Sequence, residues 1–239
     1  HLDDYVSTDS SLNGLQVGRP GKEIASIVCA VDASLRTFEK AKELNADAIF
    51  VHHGLFWGKP LAVTDVHYRR VAFLIEHDIA LLAAHLPLDA HPELGNNAVM
   101  AKRLNLSDVQ PFGMYHGLPI GFRGVLPHPL DARQIASTLN LSEETGLHIL
   151  PFGPEKISSI GIVSGGAPYE VQEAIELKLD AYITGETAHA MHPFCQEAHI
   201  TMISGGHYAT EIFGVQQMSQ YFTDELGLKS TFVALPTAL

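Results

Sequence analysis

Late in the chain, Ser204-Gly205-Gly206-His207-Tyr208-Ala209-Thr210-Glu211 follows the apolar run His199-Ile200-Thr201-Met202-Ile203. A helical pattern begins at about Tyr208, which puts His207 and Glu211 four residues apart on one face of a first helical turn. An imidazole and a carboxylate at that spacing can share one metal ion or bridge two. The paired glycines let backbone approach a bound group closely. The bland alternative is a turn and a solvated first turn, with Glu211 favoured by the helix dipole. His52-His53 ends another apolar run, Ala46 to Val51. Adjacent side chains of a regular strand point to opposite faces, so both rings serve one site only where the strand has ended and the chain bends, and Gly54 permits that. One imidazole for each of two ions suits this adjacency. Asp89, after Pro87-Leu88 in a constrained loop, can add a carboxylate. His52, His53, Asp89, His207 and Glu211 are roughly what two divalent ions about 3.5–4 Å apart require, with water completing them.

Each candidate has a structural alternative. Taken alone, His52-His53 reads sooner as a core histidine beside a surface one, and Asp89 as a turn or N-cap residue. His85 and Glu186 lie at strand ends without being needed for the set; they would orient ligands or transfer protons, and His189 is a further candidate of that kind. His67, His77, His116, His128 and His148 are read as structural, and His91, His192 and His199 as peripheral. Trp57 is read as core in preference to a ring stacking near the site.

These residues need a scaffold that gathers strand ends. Short apolar runs at Ile24–Val31, Ala46–Val51, Ile79–Ala84, Ile157–Val163, Ala181–Thr184 and Ile200–Ile203 read as buried strands. Helical patterns alternate with them over 34–44, 64–77, 95–104, 131–140, 168–177, 189–198 and 212–226, and a last strand is expected over 230–234. Such alternation predicts an α/β protein with largely parallel, helix-covered sheets. Sites in such sheets form outside the carboxyl ends of strands, where Asp32, His52-His53, His85, Ser164-Gly165-Gly166, Glu186 and His207 all fall. Residues 105–125, with Pro111, Gly113, Gly117, Pro119, Gly121 and Gly124, read as loop and as a boundary. The expected domains are 1–125 and 126–204, interlinked, with 205–239 returning to the first.

A net charge of −12 argues against a general nucleic-acid grip, though not against an anionic substrate held through metal. No apolar stretch approaches the roughly 18 residues that span a bilayer, and no basic-then-apolar signal opens the chain. Cys29 and Cys195 form no CxxC pair, so a reducing cytoplasm is expected, with Cys29 in the core. The chain opens at His1 and not at methionine, so a longer gene product is expected.

The motifs together resemble the Nif-three-like family, also called the GTP cyclohydrolase 1 type 2 family. The matching stretches are Asn13-Gly14-Leu15-Gln16-Val17-Gly18, Val51 to Trp57, Ala84 to Asp89, Thr184-Gly185-Glu186, and Ser204 to His207 with Glu211. They span nearly the whole chain in the family's order. The first departs from the usual Asp/Pro-Asn/Ser-Gly opening, and the helix before it is shortened. The resemblance implies the short bacterial form: two interlinked α/β domains, a dinuclear centre on the same five residues, and a hexameric ring of dimers with sites facing inward.

The resulting expectation is a metal-dependent hydrolase acting on a nucleotide-like small molecule. Water activated by two divalent ions would attack a carbon such as that between the imidazole nitrogens of guanine, with Glu186 or His85 carrying the proton. Zinc, iron, manganese, cobalt and nickel all suit the donors. A triphosphate calls for Arg or Lys, and only Lys59 lies near these motifs, with Arg69 and Arg70 a helix away. A dinuclear phosphoesterase or amidohydrolase, and a metal-binding scaffold without turnover, therefore stand as alternatives.

Overall fold

A computed structural model describes residues 2–239. In chain order the elements begin α1 (Leu2–Thr8), β1 (Gly14–Val17), β2 (Ser26–Asp32), α2 (Leu35–Glu43), β3 (Ala48–His53), α3 (Asp65–Glu76), β4 (Ala80–Ala83) and the single turn α4 (Leu86–Asp89). They continue α5 (Asn96–Arg103), β5 (Ser107–Tyr115), β6 (Leu118–Leu130), α6 (Ala132–Thr138), β7 (His148–Pro151), β8 (Ile157–Ile162), α7 (Val171–Glu176) and β9 (Ala181–Thr184). The last are α8 (Met191–Ala198), β10 (Thr201–Ser204), α9 (His207–Asp224) and β11 (Lys229–Phe232). Two compact units result, one running to Leu88 and resuming over Gly214–Leu235, the other comprising Asp89–Phe213 and Pro236–Leu239.

The first unit holds a sheet ordered β1-β4-β3-β2-β11, parallel except for β1. Strands such as Ile27–Val31 are buried on both faces, which is why they read as unbroken apolar runs. The crossover α2 starts where Ser34 Oγ accepts the Thr37 N–H, and it buries Phe38 and Ala41 against Val28, Ile49 and Leu81. Register aligns the parallel strand ends: Asp32 lies opposite His53, and Val51 opposite Ala83. Asp32, His52-His53 and His85 thus share one sheet edge.

The second unit holds a sheet ordered β5-β6-β8-β9-β10-β7, with β8, β9 and β10 parallel and the outer strands antiparallel. Its core gathers Ile135, Leu139, Ile160, Ile162, Ile183, Ile203 and Phe213. Asp131 caps α6 in a capping box with Gln134. Ile162 lies opposite Ile183 and Thr184 opposite Ser204, so the Ser164, Glu186 and His207 turns also share one edge.

Two expectations are corrected. Residues 105–125 are the long hairpin β5–β6, not a loop. Its two-residue turn is His116-Gly117, with φ 48° and 84° as a type I′ turn requires. Pro111 sits on the edge strand β5, where a missing N–H is tolerated, and Gly121 is there because a Cβ would lie 2.1 Å from the Ile162 carbonyl oxygen. The break between units consequently falls after Leu88 and not near residue 125, which lies inside β6. The return to the first unit begins at Gly214, within α9, so His207 and Glu211 stay with the second unit.

No helix of the described residues is long and apolar enough to cross a membrane. Cys29 and Cys195 are buried, and burial pushes both thiols up to about 11, so neither serves as a thiolate nucleophile near neutral pH.

Candidate metal centre

In the first unit, His52 and His53 are the last two residues of β3, still within the strand and not beyond it. Their rings nevertheless lie close, with centroids 4.8 Å apart, although each bonds to a different neighbouring strand end. His52 Nδ1 lies 2.9 Å from the Ala84 carbonyl oxygen, just past β4, and His53 Nδ1 lies 2.8 Å from Asp32 Oδ1 at the end of β2. His85 joins them, its Nδ1 2.9 Å from Asp9 Oδ1. Carbonyl and carboxylate oxygens only accept, so in each neutral ring the proton sits on Nδ1 and Nε2 carries the lone pair a metal needs. Ring nitrogens of His52, His53 and His85 come within 4.8 Å of one another and could hold a metal ion.

The stretch Asn13–Gly18 has its physical role here. Asn13 Oδ1 accepts the His85 N–H, and Asn13 Nδ2 donates to Asp9. Asp9 also accepts the Ser11 and Leu86 N–H groups. Burial works to raise the Asp9 pKa, but the hydrogen bonds from His85, Asn13 and Ser11 outweigh it and hold the group below the usual carboxylate value. Gln16 Oε1 accepts the Leu55 N–H and so fixes the backbone just after Gly54.

In the second unit, α9 begins at His207, and the i,i+4 relation to Glu211 is as the spacing predicts: Nε2 to Oε1 is 3.2 Å. His207 Nδ1 lies 2.6 Å from Glu186 Oε1, past the end of β9. With the Nδ1 proton given to Glu186, His207 Nε2 and Glu211 Oε1 are electron-pair donors facing each other, which a cation or a second ring proton must reconcile. Gly165 makes room for Glu211, since a Cβ there would lie 2.2 Å from its Oε1. Asp89 is buried on the turn α4, not in a loop, and its Oδ1 accepts from Asn96 Nδ2 and Ser164 Oγ, each at 2.9 Å. Those donors hold one carboxylate oxygen in a fixed direction.

All five expected ligand residues thus lie at the carboxyl-terminal sheet edges or on turns leading from them. Glu186 touches the far nitrogen of His207, so its position is that of an orienting group. His189 is exposed and belongs to no metal-capable group among the described residues. Trp57, read as core, is 39% exposed instead. His67 and His77 pack edge-on against Phe56 and Phe73, as structural histidines do. The partners Asp9 and Asn96 were not singled out from sequence, and Asp32 and Ser164 were marked only as strand ends. An acid at a strand end beside a histidine strand was the available signal for Asp32.

Replacing Asp32 by Ala should leave the fold intact and weaken metal affinity about 10–100-fold, because His53 loses the acceptor that sets its tautomer. Competition against a chromogenic chelator measures this. An unchanged affinity removes Asp32 from the site.

Comparison with known proteins adds the following. The profile of the family described as Duf34/NIF3 (NGG1p interacting factor 3) matches residues 4–237. The chain is 44% identical over 232 residues to a Deinococcus radiodurans protein named "GTP cyclohydrolase 1 type 2 homolog", covering 97% of this chain and 88% of that one. Among solved structures it is similar to protein ybgI, described as of unknown function, with TM-score 0.90, 32% identity, and 100% and 95% of the two chains covered. It is also similar to TTHA1606 from Thermus thermophilus, with TM-score 0.86, 37% identity and the same coverage.

Proposed function

The chain belongs to the Duf34/NIF3 family, and from that premise we propose that it is a dinuclear-metal-dependent hydrolase acting on a small nucleotide-like substrate. Its ligands are His52, His53, Asp89, His207 and Glu211. The observation that carries this reading is the common orientation of the imidazoles, each committed through Nδ1 to an oxygen acceptor and so offering Nε2 as donor. When bound, the ions supply Lewis acidity and bring the pKa of water down to about 7. The chain's residues then do the rest. Asp32 and Glu186 fix the His53 and His207 tautomers, and Asn96 and Ser164 aim the Asp89 carboxylate. His85, held by Asp9 and Asn13, presents Nε2 for proton transfer. The relatives' name supports a guanine nucleotide as the substrate type. A homohexameric ring and a cytoplasmic location belong to the same reading.

Elemental analysis of the purified protein tests it. About two ions per subunit, zinc, iron, manganese, cobalt or nickel, removed by a chelator together with hydrolysis of GTP or a related nucleotide, is the expected result. No uptake of zinc, iron or manganese on titration ends it. A phosphoesterase or amidohydrolase acting on another small anion is the second reading, favoured because Lys59 is the single cationic side chain within residues 52–60. Metal bound with no turnover would instead favour a metal-binding scaffold.

A further inference from the structure

Beside the first-unit histidines stands one aromatic ring that metal binding does not use. Trp57 is 39% exposed, although burial is what an indole gains most from. Its orientation is fixed all the same. The indole N–H donates to the Gly54 carbonyl at 3.0 Å, and its backbone forms an isolated bridge with Ser11. The neighbouring Phe56 carbonyl accepts the Leu12 N–H at 2.9 Å. The ring centroid lies 4.9 Å from that of His85 and 6.1 Å from that of His53, tilted by 76° and 46°. With its one polar group satisfied and its loop pinned at residues 11 and 12, the indole can offer only aromatic surface. It offers that surface within one ring's breadth of the imidazoles.

We propose that Trp57 is the platform on which the substrate's planar heteroaromatic ring, a purine base, stacks, so that Trp57 selects base-bearing ligands for this site. This deepens the nucleotide reading above and rests on it. A rigid, pre-oriented ring loses little entropy on stacking, and every base presents a π-face, so the selection is for an aromatic ring as such. The residue orients substrate and does not touch metal.

Trp57 is the only tryptophan in the chain, so intrinsic fluorescence reports this one ring. Saturable quenching of the metal-loaded protein by guanosine 5′-monophosphate, and none by ribose 5-phosphate, is expected. By calorimetry, Trp57→Ala should weaken guanosine 5′-monophosphate binding about 5- to 150-fold, the range of one base-stacking contact. Ribose 5-phosphate affinity and metal content should be unchanged, and Trp57→Phe should recover most of the loss. Equal quenching by both ligands, no quenching by the nucleotide, or a Trp57→Ala protein with unaltered nucleotide affinity overturns the proposal. The two readings fail separately. Quenching without hydrolysis keeps the platform and removes the hydrolase, whereas hydrolysis that is indifferent to Trp57→Ala does the reverse.

Discussion

His207→Ala and Glu211→Ala should each lose metal while keeping the parent fold. Loss of an outer partner alone costs about 10–100-fold in affinity, so removal of a ligand should exceed that and leave fewer than two ions per subunit after dialysis. The fold should survive because neither side chain is packed into the apolar core of its unit, which is built from Ile160, Ile183, Ile203 and Phe213. Glu211 is a buried carboxylate whose Oε1 faces His207 Nε2 at 3.2 Å, so truncating it removes a buried polar group and no apolar core residue. In the presence of chelator the melting temperatures of parent and variants should agree within a few degrees. On metal addition only the parent should rise, because binding to the native state alone stabilises it. Elemental analysis beside thermal melts reads both effects. A variant that keeps two ions per subunit excludes its residue as a ligand.

Gly206→Ala should have the opposite signature, with stability lost before metal is considered. Gly206 has φ +97°, a conformation costly for any residue with a Cβ. The added atom would also lie 1.9 Å from the Thr145 carbonyl oxygen, which is backbone and cannot rotate away. Strain of this kind and the displaced turn together should cost at least about 3 kcal/mol. In a chain of this size that lowers the melting temperature by roughly 6–12 °C. Gly117→Ala is the control, with φ +84° at the hairpin turn and no atom within 4 Å of the new Cβ. It should cost only the conformational part, about 1–2 kcal/mol. Equal melts for the two variants would show that the approach of residue 145 to residue 206 does not matter.

The separation between local and non-local information is visible residue by residue. β2, β3, β4, β8, β9 and β10 were legible because strands buried on both faces are unbroken apolar runs, and chemistry-bearing residues stood out wherever such a run stopped. The i,i+4 relation of His207 and Glu211 follows from helical geometry alone. Glycine, by contrast, has two uses that look identical in a sequence. At Gly117 it supplies a turn, but at Gly121 it admits a neighbouring strand, and reading both as loop hid the β5–β6 hairpin and misplaced the boundary between units.

The sequence by itself therefore determined which side chains could bind metal and that strand ends would carry them, since residue type and periodicity are local properties. Only the tertiary structure decided how those side chains are aimed. His53 is held by Asp32 across 21 residues, His85 by Asp9 across 76, and Asp89 by Ser164 across 75. Such pairings depend on strand register and crossover connections, for which no spacing along the chain is a guide. The tertiary structure likewise kept His52 and His53 within one strand with their rings close together, each tied to a different neighbouring strand end, at Ala84 and at Asp32.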